Sequence, residues 1–139
     1  MAPGPLDELP DWALELLREA RVGRLGLLDD SDRPRVLPVT FALAEGVIWG
    51  AIDWKPKRSP EPARVRYLRR RPQAALTIDR YEEDWARLAW VQVLGKVEVL
   101  DSGGLDALRE KYAQYRERPP AGPFLKLVPE RALGWRAEG

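Results

Sequence analysis

Lys55, Lys57, Arg58 and Arg64 are the residues whose types and spacing point most directly to chemistry, and that chemistry is the binding of an anion. They belong to a segment, Lys55 to Arg71, with eight positive side chains (the others being Arg66, Arg69, Arg70 and Arg71) against Glu61 alone. The local charge of +7 contrasts with a net charge of +1 for the chain, so the remainder sums to about −6. Ser59 followed by Pro60 is a helix-start signal: a hydroxyl to cap, then a proline at the first helical position. A helix from about Pro60 to Arg71 would aim its N-terminal amides where Lys55, Lys57 and Arg58 converge. Unpaired amides, the positive end of the helix dipole and nearby cations suit a phosphate. Pro56 stiffens the link between the two lysines. Arg69, Arg70 and Arg71 read instead as a solvated face.

The residues that are absent narrow the chemistry further. The chain has no Cys and no His, and its one Met is Met1. A catalytic thiol, a Ser-His-Asp triad and the usual zinc sites are excluded, and haem would lack its common axial ligands. Side chains that shuttle protons near neutral pH are scarce. An enzyme built from these residues would leave the hard chemistry to a bound cofactor and supply position and electrostatics itself. Asn is also absent, Arg outnumbers Lys 18 to 5, and there are 13 prolines. A hot source and a GC-rich genome each account for that bias.

The basic segment is delivered by a β-hairpin. RVLPVTFALA (35–44) and VIWGAID (47–53) are alternating apolar runs separated by Glu45-Gly46, a two-residue turn signal. In the first run Leu37, Val39, Phe41 and Leu43 share one face, and Val36, Pro38, Thr40 and Ala42 the other. The second face is small and smooth, with room for a flat ligand or a close-packed strand.

Around the hairpin, the residues before Pro10 read as frayed and Pro10–Ala20 as an amphipathic helix. Val22–Leu28 reads as a strand, and Asp29–Pro34 as a turn rich in residues that bond their own backbone. Pro72 stops the basic helix, and Ala74–Tyr81 is the next strand. Glu82-Glu83-Asp84-Trp85 is an acidic, solvated turn. Arg87–Leu100 is the longest strand, with Gly95 marking a bulge or bend. Leu105, Leu108, Tyr112 and Tyr115 sit at helical spacing in a helix over 105–118. The tail from Phe124 offers two short strands split by Pro129-Glu130-Arg131. The 139 residues read as one domain, 1–139. Six or seven strands without alternating helices predict a mainly β, α+β fold, an antiparallel barrel closed or partly closed. No apolar run reaches membrane-spanning length and no leader is evident, so a cytoplasmic protein is expected.

At this point the order of elements resembles a known family, the split-barrel flavin-binding proteins of the pyridoxamine-phosphate-oxidase class. More narrowly it is similar to the short bacterial branch assigned to the deazaflavin coenzyme F-420. The resemblance runs from about Val22 to Ala137 and is carried by RPRVLPVTFAL, AIDWKPKR, RVRYLRRRPQAAL, IDRYEEDWARLAWVQVLG and LVPERALGWRA in that order. It implies that Leu37, Pro38, Val39 and Thr40 lie along the flavin or deazaflavin ring, using backbone groups. It implies that Lys55, Lys57 and Arg64 hold the phosphate, with Arg58 close by. Asp53, at the same junction, is either a cofactor contact or the ion-pair partner of a neighbouring arginine. Members are homodimers with cofactor sites at the interface, so Trp85 and Trp90 would wall the site from the partner chain; core or dimer packing is the other reading of tryptophans in a small barrel. Tyr67 stands where relatives often carry Asn, and the SPEP insert shifts the register at Arg58. The chain stops at Gly139, short of the C-terminal part of true pyridoxamine-phosphate oxidases.

The expected function is therefore an oxidoreductase moving a hydride between a flavin or deazaflavin and a small substrate. Coenzyme F-420 is favoured because its phosphate and carboxylate tail form a longer polyanion than FMN, matching the +7 segment; FMN is the alternative. A non-catalytic cofactor-binding protein is a second class. Nucleic-acid binding is not expected, because the chain is near neutral overall and no aromatics alternate with the arginines.

Overall fold

The computed structural model describes residues 4–52 and 61–138. Asp53, Trp54, Lys55, Pro56, Lys57, Arg58, Ser59 and Pro60 lie outside the described residues, and with them the sequence-based expectations for the basic cluster and the helix cap. Seven strands form one antiparallel sheet: β1 (Gly23–Leu28), β2 (Pro34–Val39), β3 (Ala42–Ala44), β4 (Val47–Ala51), β5 (Gln73–Arg80), β6 (Ala89–Leu100) and β7 (Phe124–Arg136). Four α-helices accompany them among the described residues: α1 (Asp11–Glu19), α2 (Ala63–Arg70), α3 (Leu105–Lys111) and α4 (Ala113–Glu117).

The spatial order is β2-β1-β5-β6-β7-β4-β3, so β2 and β3 are the two ends of the sheet. They are also neighbours in the chain, since Val39 ends β2 and Ala42 begins β3. Seven flat strands would put the ends about 29 Å apart, at roughly 4.8 Å per step. Three residue steps reach at most about 11 Å. The sheet must curl until its ends nearly meet. The result is a split barrel, and the expected fold class holds.

Alternation along the strands fills its interior. Leu25 and Leu27 of β1, Leu76 and Ile78 of β5, Val91, Val93 and Val97 of β6, and Leu125 and Leu127 of β7 are all buried in one cluster. Helix α1 adds Ala13 and Leu17, and α2 adds Val65 and Leu68. Helices α3 and α4 cover the outside of β3 and β4 with a second cluster, in which Leu108 and Tyr115 meet Ala42 and Phe124.

Local details follow from local chemistry. Asp29 Oδ1 accepts hydrogen bonds from the amides of Ser31 (2.8 Å) and Arg33 (3.0 Å), closing the turn before β2. Glu45 (φ 55°) and Gly46 (φ 78°) both take positive φ, as a two-residue hairpin requires. Gly95 sits in an irregularity of the β6–β7 ladder where Leu94 faces Arg131 and Gly95 faces Pro129, so Glu130 is the extra residue. A Cβ on Gly95 would lie 2.1 Å from the Val128 carbonyl oxygen.

Five expectations are corrected. The residues before Pro10 are not frayed from Gly4 onward: Pro5–Glu8 form a 3-10 turn, and Leu6 and Leu9 are buried in the main core. Residues 35–44 do not make one strand: the chain breaks at Thr40–Phe41 because it must leave one sheet edge for the other. The smooth face therefore divides, with Val36 66% exposed and Ala42 buried under α3 and α4. Helix α2 starts at Ala63, after Pro62, rather than near Pro60. The 105–118 helix is interrupted at Tyr112, which is extended (φ −118°, ψ 119°). The tail is one bulged strand, β7, because β6 is long enough to pair with all of it.

Candidate functional site

The break that closes the barrel also opens it. A cavity of about 190 Å³ enters beside the β2–β3 link, lined by Pro38, Val39, Thr40 and Phe41 on one side and by Trp49 to Ile52 on the other. Its floor is barrel core, including Leu25, Leu76 and Val97. Arg64, from the first turn of α2, also lines it. An apolar slot with, among the described residues, one cation and a run of backbone groups suits a flat, largely apolar molecule carrying an anionic appendage.

The electrostatics of α2 separate Arg64 from its neighbours. Arg66 pairs with Asp30 (3.0 Å), Arg69 with Glu61 (2.8 Å), and Arg70 and Arg71 both with Asp32 (2.9 and 3.2 Å). The hydrogen bond from Arg70 holds the Asp32 carboxyl below its ordinary range. Arg64 is half-buried and forms no ion pair among the described residues. The acids that neutralise the helix come mainly from the 29–33 turn, so Arg66, Arg69, Arg70 and Arg71 are not an open cationic surface.

Trp49 forms the wall opposite the link. Its indole rests on Gly103 and Gly104, where a Cβ would lie 2.6 Å and 2.2 Å from the ring, and Lys126 Nζ sits 5.7 Å from the ring centroid on β7. Thr40 and Phe41 belong to no strand pairing. They are tied to the interrupted helix: Tyr112 Oη lies 3.1 Å from the Phe41 amide and 3.0 Å from its carbonyl oxygen, and Tyr115 Oη 2.8 Å from Thr40 Oγ1. Burial raises the Tyr112 phenol above its ordinary pKa, so it stays protonated and able to donate.

Of the residues expected at the site, Pro38, Val39, Thr40 and Arg64 are brought together. Leu37 points inward against the core and borders a separate shallow depression with Arg35, Pro62, Ala63, Arg64 and Tyr67. Trp85 is 67% exposed on a 3-10 turn, and Trp90 is half-buried on the outer face of β6 opposite Trp135. Within one chain neither lines the cavity. Asp53, Lys55, Lys57 and Arg58 lie outside the described residues. Trp49, Tyr112 and Tyr115 were not expected here; the two tyrosines, three apart, read as a helix face.

No curated protein sequence matches the chain. Solved structures match its fold: a conserved hypothetical protein from Mycobacterium tuberculosis (TM-score 0.72, 16% identity, 92% of this chain and 85% of that one), an FAD-binding protein from Mesorhizobium loti (0.64, 21%, 91% and 94%) and an F-420 reductase (0.65, 16%, 90% and 98%). Identities this low speak to fold alone. The model of the family described as pyridoxamine 5'-phosphate oxidase matches residues 9–136, nearly the whole chain. The chain belongs to the pyridoxamine 5'-phosphate oxidase family.

Proposed function

We propose that this chain is an oxidoreductase that binds a flavin or deazaflavin and transfers a hydride to or from a small substrate. The observation that carries the reading is Arg64: a half-buried cation at an apolar cavity, without an ion pair among the described residues, on a helix whose other arginines are paired. A cation in that position is stabilised by a ligand anion. The family supports the reading, as do a neighbour named as FAD-binding and another named as an F-420 reductase.

The cofactor, when bound, supplies the hydride chemistry. The chain's own residues position it. Pro38, Val39 and Thr40 offer a narrow wall to the ring, Trp49 closes the opposite side, and Arg64 holds the phosphate with Lys55, Lys57 and Arg58. The apolar lining excludes water from the ring. Coenzyme F-420 and FMN differ in the carboxylate tail. The paired arginines of α2 do not supply a hold for that tail, so Lys55, Lys57 and Arg58 would have to.

The reading includes a homodimer with cofactor sites at the interface. A cavity of about 190 Å³ is smaller than the roughly 300 Å³ at which ligand pockets begin, and a second copy would extend it. Trp85, Trp135 (46% exposed) and Val36 form outer-face apolar surface of the kind such contacts bury. In this arrangement Trp85 and Trp90 wall the partner's site.

Titrating the purified chain with coenzyme F-420 and with FMN, at low and high salt, tests the reading. Tighter binding of F-420 that converges on FMN as salt rises supports recognition of the tail. Equal affinity, or preference for FMN at low salt, assigns the chain to FMN. Binding of neither overturns the proposal. Oxidation of the reduced, bound cofactor by an added acceptor separates an enzyme from a carrier.

A further inference from the structure

We infer that Tyr112 is a positioning residue for the candidate site: its hydroxyl, together with that of Tyr115, holds the Thr40–Phe41 link in the shape that this cavity wall presents to a bound ring. The inference rests on the cofactor reading above.

A chain that crosses from one sheet edge to the other loses its ladder partners at the crossing. Thr40 and Phe41 are unpaired for that reason, and Phe41 is 1% exposed, so water does not readily replace the lost bonds. Tyr112 Oη takes the place of a neighbouring strand. It accepts from the Phe41 amide (3.1 Å) and shares its one proton between the carbonyl oxygens of Phe41 (3.0 Å) and Arg21 (2.9 Å). Tyr115 meets the Thr40 hydroxyl at 2.8 Å. The interruption between α3 and α4 makes both contacts possible, setting the two rings edge to face at 71° with centroids 5.6 Å apart. Arg21 fixes the junction from the other side: its Nη1 donates to the Lys111 carbonyl (2.5 Å) and its guanidinium lies 5.8 Å from the Tyr112 ring centroid.

Phenylalanine at 112 would fill the same space and keep the packing. It would leave the Phe41 amide without this partner and let the link relax, although Tyr112 itself is not among the residues lining the cavity. The effect of such a change therefore reaches the ligand through the backbone that Tyr112 holds: Phe41 in the link, and Arg21 beside the cavity-lining Val22.

The test uses the full chain, FMN, and riboflavin, which has the ring and lacks the phosphate. Tyr112→Phe should weaken both ligands by about tenfold, whereas Arg64→Ala weakens FMN alone. At saturating FMN, Tyr112→Phe should shift the visible absorption band of the bound ring relative to wild type, and Glu110→Gln on the same helix should not. A saturated Tyr112→Phe variant with the wild-type spectrum, whatever its melting temperature, overturns the inference. If that variant does not fold, Tyr115→Phe removes the 2.8 Å contact to Thr40 without touching the cavity lining. A shifted spectrum at saturating FMN supports the inference, and an unshifted one overturns it. A wild-type chain that binds none of FMN, riboflavin and coenzyme F-420 overturns the cofactor reading itself, an outcome distinct from variants that bind as wild type does.

Discussion

Replacing Arg64 by alanine isolates the feature on which the proposed function rests. The guanidinium has no ion pair to lose among the described residues, so its removal relieves a half-buried unpaired charge and should leave the melting temperature unchanged or slightly raised. Its contribution would appear only with ligand. A charge-assisted hydrogen bond contributes roughly 1.5–3 kcal/mol, which is about ten- to hundredfold in dissociation constant. Arg70 is the natural comparison. It makes an exposed 2.9 Å pair with Asp32, and Arg71 still pairs with Asp32 when Arg70 is gone. Arg70→Ala should therefore cost at most about 1 kcal/mol of stability and change cofactor affinity by no more than roughly twofold. Quenching of flavin fluorescence reads the affinities, with riboflavin as the ligand that carries no phosphate. Equal small losses for Arg64→Ala and Arg70→Ala, or equal losses for FMN and riboflavin, would refute the phosphate role.

Three further outcomes follow from other parts of the fold. Burial, and secondarily the Arg21 guanidinium, push Lys111 from an ordinary 10.5 down to about 8, so the unfolded chain binds the extra proton between those values and stability should rise with pH across that window. The ammonium nitrogen is buried and the rest of the side chain only partly exposed, so the gain should be about 2–3 kcal/mol, and Lys111→Met should remove it in urea melts at pH 7.5 and 10.5. Gly95→Ala places a methyl 2.1 Å from the Val128 carbonyl oxygen; the strands must part, which should cost about 3 kcal/mol and lower the melting temperature by roughly 10 °C, and a shift under about 2 °C would mean that the bulge yields freely. Trp90→Glu should lower dimer content in sedimentation and cofactor affinity together, and a stable wild-type monomer with full affinity would contradict the dimer.

The sequence disclosed the periodic elements because burial enforces period. Leu25, Leu76 and Val91 are buried between less buried neighbours, and their strands follow expectation to within a residue or two. Glu45-Gly46 and Gly95 were legible because each position tolerates few residues. The interruptions were not. Nothing local in VTFA separates a strand from a crossing; the break at Thr40–Phe41 is set by closure of the whole sheet. The arginines of α2 read as a block because their partners, Asp30 and Asp32, come from a turn some 35 to 40 positions earlier. Arg64 differs from Arg66 only in which way the helix faces it, and that depends on where Val65 and Leu68 are buried.

The same long-range dependence explains why the candidate site lies at the seam. A regular sheet saturates its backbone groups and leaves none for a ligand. Closing this barrel requires a crossing at which two residues leave the ladder, and a crossing exposes backbone polarity beside the apolar interior. Left alone, that polarity would be a liability. Tyr112 and Tyr115 satisfy part of it from outside the barrel, while Pro38 to Thr40 line the cavity from within. With no His or Cys in the chain to act on a substrate directly, a preformed slot with a cation at its edge is the means available, and its precision depends on how tightly the crossing is held. Substitutions at Tyr112, Gly103 and Gly104, all remote in sequence from the β2–β3 link, should accordingly affect ligand binding more than substitutions at the exposed Arg69, Arg70 and Arg71.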